Sequence, residues 1–187
     1  NMRNISALET AEHFLEFSYN ANGIRTSKRY DNNNPIYYTL DGNKIIKEEQ
    51  FGTNGYVINY YYEQNGSLIG FNYDNDYYLY QKNIQNDIIG IIDINGNLLV
   101  EYTYDAYGNV LYMQDESTDN IGTINPFRYR SYYYDNETGW YYLNSRYYNP
   151  QLGRFVTMDE VEYLGVSGSL LGYNLYSYCE NNPVMCR

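Results

Sequence analysis

Histidine is all but missing from this chain. Its 187 residues hold one histidine, two cysteines, one tryptophan and four prolines, and 12 lysines and arginines against 23 aspartates and glutamates. Each shortage excludes something. His13 stands alone and VSGSL (166–170) is not a nucleophile elbow, so a Ser-His-Asp triad has no base. A zinc site needs four ligands, and His13 is far in sequence from Cys179 and Cys186, so no metal is expected. The two cysteines are seven positions apart. A bond between them would close a very short loop around Pro183, and two separate thiols are the expectation. Scattered basic residues do not supply the counterion release that drives nucleic-acid binding. A net charge of −11 works equally against an anionic membrane surface. No apolar run approaches the roughly 20 residues that span a bilayer; the longest candidate, IIGIIDI, is broken by Asp93. Alanine is scarce, which argues against a helical bundle. No secretory signal opens the chain, and its start, NMRN, suggests an interior piece of a longer protein. No P-loop or dinucleotide fingerprint occurs, and no cofactor is expected.

Tyrosine is what the chain has instead: 28 of them. Ile, Leu and Val make up much of the remaining apolar set, and Tyr, Ile and Val favour strands. The sequence also repeats itself loosely. FSYNANGIRTS (17–27), YYYEQNGSLIG (60–70), YTYDAYGNVLY (102–112) and YYYDNETGWYY (132–142) share one plan. An aromatic alternation leads to Asn, Asp or Glu, then a short spacer, then Gly, then a second alternation. YTLDGNKII and IIDINGNLLVEY are shorter versions. Alternation sends successive side chains to opposite faces of a strand. The Gly supplies positive φ at the turn, and Asn or Asp binds the local backbone. The pattern predicts about ten strands between Phe14 and Phe155, in one long, curved antiparallel sheet of hairpins. The spacing of the glycines is too irregular for a propeller or a leucine-rich repeat. Length and composition suit one domain, divided as a flexible or irregular lead-in (1–13), hairpins (14–112), an exposed acidic loop (113–126), and a distinct segment (127–187). That segment ends in a small irregular cap with a short helix after Asp159.

A tyrosine ring packs against its neighbour while its hydroxyl reaches water or backbone. Opposed aromatic pairs contribute about 0.2–1 kcal/mol each across a sheet, which suits a wall. Exposed coplanar rings would instead suit carbohydrate. Arg128, Arg130, Arg146 and Arg154 lie in or beside the tyrosine-rich stretch. They are expected to stack on rings or pair with Asp135, Glu137 and Asp159, pinning turns. Asp74 and Asp76, and Asp115 with Glu116, lack the spacing of a calcium loop and are expected to be solvated.

The stretch NPFRYRSYYYDNETGWYYLNSRYYNPQLGRFVTMDE (125–160) resembles the repeat-associated core of Rhs/YD-repeat proteins, and LLGYNLYSYCENNPVM (170–185) resembles the segment C-terminal to that core in clostridial-type members. The residues that carry the likeness include Tyr134, Asp135, Gly139, Tyr147, Tyr148, Gly153, Arg154 and Phe155. The upstream hairpins resemble the repeats that precede that core. The resemblance implies a hollow β-shell enclosing a toxic domain at the C-terminal end of the same polypeptide. It also implies a bacterial polymorphic toxin that is secreted or associated with the cell surface or cell wall. Family cores often end in a self-cleaving aspartyl protease, in which two carboxylates share a proton. The first aspartate corresponds to Asp159, and a supporting arginine to Arg146. MDEV departs from the Asp-Pro-x-Gly pattern at Glu160 and Val161, Asn149 stands where Asp is usual, and the second motif is expected beyond Arg187. The resulting expectation is a structural shell segment, with a carbohydrate-binding surface or an incomplete protease as alternatives. Unpaired sheet edges predict edge-to-edge pairing of two copies.

Overall fold

A computed structural model of the chain describes residues 4–9, 13–157, 176–179 and 182–183. It is all-β, as expected. Eleven strands follow one another: β1 (Ala7–Glu9), β2 (Phe14–Tyr19), β3 (Arg25–Tyr30), β4 (Ile36–Asp41), β5 (Lys44–Gln50), β6 (Tyr56–Tyr62), β7 (Leu68–Tyr73), β8 (Asp76–Lys82), β9 (Ile88–Asp93), β10 (Leu98–Tyr104) and β11 (Val110–Asp115). Their order in the sheet is their order in the chain, and the sheet is open. Four short strands, β12 (Tyr133–Asp135), β13 (Trp140–Tyr142), β14 (Tyr147–Asn149) and β15 (Arg154–Phe155), form a second antiparallel sheet. The expected single sheet is therefore two. The chain also divides into two compact units, one of Ile5–Gln81 and Gly90–Leu99, the other built mainly on Lys82–Ile89 and Val100–Arg187. Sequential hairpins touch mainly their neighbours, so a segment that gathers its own aromatic cluster becomes a separate body.

One turn design recurs. Asp93 Oδ1 accepts the backbone N–H groups of Asn95 and Asn97, both at 2.8 Å, while Asn97 Nδ2 donates to Oδ2. Asp105 does the same for Tyr107 and Asn109, with Asn109 Nδ2 at 2.7 Å. Asn20 and Asn83 each take two local N–H groups in the same pattern. The following Gly has positive φ: 77° at Gly23, 87° at Gly96 and 90° at Gly108. Register slips by one residue beside several of these turns, at Ser18/Tyr19, Tyr61/Tyr62 and Thr103/Tyr104. This is the three-residue hairpin loop whose left-handed last position makes a bulge. Between β7 and β8 the link is tighter. Asp74 and Asn75 both have positive φ, the mark of a two-residue turn, and the carboxylates of Asp74 in the turn and Asp76 at the start of β8 are exposed.

Two boundary expectations need correction. Residues 7–9 are not an irregular lead-in: they pair with Phe14–Glu16. Residues 113–126 are only in part an exposed loop, at 116–120. β11 stays paired with β10 through Asp115, and a one-turn helix α1 (Ile121–Ile124) follows with Ile121 fully buried. Some of this stretch's polar residues serve the backbone. Asp115 takes the N–H groups of Ser117 and Gly122, and buried Asn125 donates to the Phe127 carbonyl at 2.6 Å. Asp115 is therefore not a solvated charge.

The two-cysteine expectation is corrected too. Cys179 is disulfide-bonded, and a turn with Asn182 N–H on the Cys179 carbonyl at 2.8 Å folds the chain back there; position 186 lies outside the described residues. So do Asp159 and the expected helix after it. No helix among the described residues is long and apolar enough to cross a membrane.

The turns differ in what lies above them. A Cβ on Gly96 would meet nothing, whereas one on Gly108 would sit 2.6 Å from the Tyr129 ring. Gly96→Ala is expected to cost about 1–2 kcal/mol through positive φ alone. Gly108→Ala should add overpacking of about 1–3 kcal/mol. Thermal denaturation followed by circular dichroism measures both; equal losses would count against the Tyr129 contact.

Candidate functional site

The residues singled out by sequence converge in the second sheet and what it packs on. β12–β14 place tyrosine opposite tyrosine: Tyr133 faces Tyr142, Tyr134 faces Tyr141, and Tyr141 faces Tyr148. Tyr129, Tyr141, Tyr148, Phe155 and Tyr178 form one buried cluster. Successive rings lie 6.0 Å (Tyr129–Tyr141) and 6.3 Å (Tyr141–Tyr148) apart, within the range of favourable aromatic pairs, and Tyr148 and Tyr178 are closer still, at 4.1 Å.

The hydroxyls of this cluster have a common target. Tyr129, Tyr148 and Tyr141 donate to the carbonyls of Ala106, Tyr107 and Gly108 at 2.8, 2.7 and 2.8 Å. Three consecutive carbonyls of the Asp105 turn are thus each met by a phenol. Asn109 Nδ2 also reaches the Pro150 carbonyl at 3.1 Å, and Gly153 leaves room for the Tyr107 ring. The segment from Tyr129 to Phe155 is a socket for one turn.

The arginines lie over rings. Arg128 is buried, 4.5 Å from the Tyr134 centroid and 5.7 Å from Tyr102, and donates to Asn136 Oδ1 at 3.0 Å. Arg130 covers Tyr129, and its Nη2 reaches the Pro183 carbonyl at 2.6 Å. Arg154 covers Tyr176 at 4.9 Å. Arg146, the expected partner of Asp159, lies 3.6 Å from the Phe155 centroid. Asp135 is fully buried and its carbonyl accepts Gly139 N–H at 2.8 Å. Tyr147 and Tyr148 are buried on β14, and Gly139 and Gly153 have φ of 71° and 61°.

Two carboxylates line a recess here, Asp87 and Asp105. Both are occupied structurally. Asp87 takes the Arg130 N–H at 2.9 Å and Asn83 Nδ2 at 2.7 Å, and Asp105 holds its own turn. Among the described residues no cluster of metal-ligating side chains occurs.

Sequence reasoning missed two groups in the other unit. Arg25 is fully buried, its guanidinium 5.3 Å from the Phe17 ring and 5.1 Å from Tyr38. Glu48 is buried under the hydroxyls of Tyr56 and Tyr60, at 2.6 and 3.2 Å. The signal that could have found Glu48 is phase: it stands opposite Tyr38 and Ile58, both inward.

No family model matches the chain, but relatives do. The tRNA3(Ser)-specific nuclease WapA of Bacillus spizizenii is 36% identical over 92% of this chain. Toxin protein Tse5 of Pseudomonas aeruginosa is 40% identical over 32% of it. The chain is an Rhs/YD-repeat segment. It spans 7% of WapA and 4% of Tse5. Crystal structures of TcdB2–TccC3 share the fold: one superposes over 95% of this Rhs segment and 9% of that chain, with a TM-score of 0.72 and 20% identity. Another, without its hypervariable C-terminal region, gives 0.66 at 19%.

Burial pushes the phenol groups of Tyr104, Tyr141, Tyr148 and Tyr178 well above the usual tyrosine range. Tyr60 rises for the same reason, with the Glu48 charge adding to it. The unfolded chain releases these protons above pH about 10 while the folded chain holds them. Stability should therefore be level with respect to these groups below that pH and fall as pH rises beyond it. An alkaline titration should show tyrosinate absorbance appearing together with loss of β-sheet circular dichroism. Full ionisation with the sheet intact would contradict this reading.

Proposed function

We propose that this Rhs/YD-repeat segment is structural: part of the wall of a toxin shell that encloses a toxic segment at the C-terminal end of its own polypeptide. The observation that carries the reading is the clasp of three phenols on one repeat turn, which joins repeat hairpins to the core segment by buried hydrogen bonds. The toxin relatives support it, as does the hypervariable C-terminal region of the TcdB2–TccC3 neighbour. A secreted or surface-associated bacterial location belongs to the same proposal. So do the division into hairpin and core regions at about residue 126 and a family-like role for Asp159 and Arg146 in self-cleavage.

Tyr148→Ala in the full-length polypeptide tests the enclosure. Truncating a fully buried aromatic costs about 3–5 kcal/mol and removes one clasp. The C-terminal segment should resist protease in the intact protein and be degraded at least tenfold faster in the variant. Equal degradation in both would sink the enclosure.

A second reading rests on one surface. Tyr61 and Tyr77 are 39% and 53% exposed, with ring centroids 6.1 Å apart and planes within 28°. The strand between them carries Gly70, opposite Tyr61, and Asn72, opposite both Tyr77 and Asn59. Paired rings beside amides suit a glycan. Tyr61→Ala/Tyr77→Ala should then lower binding to isolated cell-wall glycan at least tenfold, and unchanged binding would dismiss this surface.

A further inference from the structure

Among the described residues, the sheet edges differ sharply in how they end. The small sheet covers its own. Phe127 bridges Tyr133 and the Pro126 carbonyl takes the Tyr134 N–H on one side; Ser177 bridges Arg154 and the Tyr176 carbonyl takes the Phe155 N–H on the other. At one end of the large sheet, β1 is only three residues long and carries Glu9. At the other end β11 is six residues long, VLYMQD, with a described strand on one side only. Three consecutive apolar residues stand out from it: Leu111 is 67% exposed, Tyr112 51% and Met113 39%. Alternation puts Tyr112 on one face and its two neighbours on the other. An edge strand whose middle exposes three apolar residues and no charge is what sheets otherwise avoid.

We infer that β11 is a pairing surface for a second copy of this chain, joined antiparallel about a two-fold axis centred on Tyr112. Symmetry narrows the choice. A two-fold axis perpendicular to the sheet keeps each face on its own side, so only residues of equal parity can be opposite. Centring on Tyr112 sets that ring against its own mate, Leu111 against Met113 of the partner strand in both directions, and Val110 against Gln114. No like charges oppose in this register. Centring on Met113 instead sets Leu111 against Asp115 and Tyr112 against Gln114, which places a carboxylate against an apolar chain. The pairs of the first register are of the aromatic and apolar kind that stabilise a ladder, and the interface is self-complementary, as a two-fold dimer requires. Two chains of net charge −11 repel at long range, so association should strengthen as salt screens them.

Sedimentation velocity over a concentration series at low and moderate salt, on the 187-residue chain, tests this. A reversible dimer is expected, stronger at moderate salt. Leu111→Lys/Met113→Lys should weaken it at least thirtyfold by placing cations opposite each other. Ala7→Lys on β1 should leave it unchanged, and circular dichroism would show that each variant keeps its sheet. Register is read by oxidation. Tyr112→Cys should give an intermolecular disulfide-linked dimer, and Leu111→Cys should not. A wild-type chain monomeric at all concentrations and both salts, a dimer indifferent to the Leu111/Met113 pair, or cross-linking through position 111 rather than 112 would each overturn the proposal.

Discussion

Much of this structure depends on one interaction: the hydroxyl of a buried tyrosine donating to a backbone carbonyl that the sheet leaves unmade. Hairpin turns strand carbonyls. Where a turn is covered by protein, each such oxygen needs a donor or costs about 1–3 kcal/mol. Phenylalanine would cover the turn without meeting that need, and serine would meet it without covering. Tyrosine does both. The Asp105 turn takes three phenols at once, and the same donation serves carbonyls near the ends of other elements: Tyr62 to Ile45 in β5, Tyr104 to Ile88 in β9 and Tyr102 to Gly122 in α1. A tyrosine-rich composition is therefore a way of burying turns, which most folds leave on the surface.

The same logic accounts for the charged groups that the core tolerates. A buried cation is costly unless its charge is met. Arg25 and Arg128, both buried, lie against aromatic faces, as does half-buried Arg146; the ring quadrupole attracts a cation while the ring carbon packs. Glu48 is the mirror case: two phenol hydroxyls solvate it in place of water. Tyrosine thus offers a face to cations and an edge donor to anions, and a core made of it accepts both signs.

How much of this is legible in the sequence depends on range. Hairpins at Asp93 and Asp105 are readable because Asx, spacer and Gly lie within five residues, and local chemistry fixes the turn. Alternation gives strand character, and the ordered motif string gives the family. The Tyr141–Gly108 bond spans 33 residues, and nothing in either local stretch announces the other. Polar residues mislead for a related reason. Asp115, Ser117 and Asn125 look solvated in sequence because their partners are backbone groups, which sequence does not display. The division into two sheets is hidden because alternation in YYYDNETGWYY is the same in kind as in YTYDAYGNVLY. Only the partner differs.

Two turns of the same build differ in what covers them. Those at Asp93 and Asp105 are built alike, down to the paired N–H acceptance and the amide of the Asn four residues on. Gly96 faces open space, yet Gly108 lies under Tyr129. The turns share their hydrogen bonds but not their side chains: Tyr107, which packs over Gly153, stands where the other turn has Asn95. The cover comes from a segment about 20–45 residues downstream that carries Tyr129, Tyr141 and Tyr148 at heights matching three successive carbonyls. A repeat array of this kind has no intrinsic last member; it ends where a later segment supplies donors for a turn that would otherwise stay in water. The Asp105 turn adds contacts of its own, with Tyr107 over Gly153 and Asn109 Nδ2 on the Pro150 carbonyl, so the Asx–Gly lock fixes the turn's shape while its remaining side chains fit it to the socket.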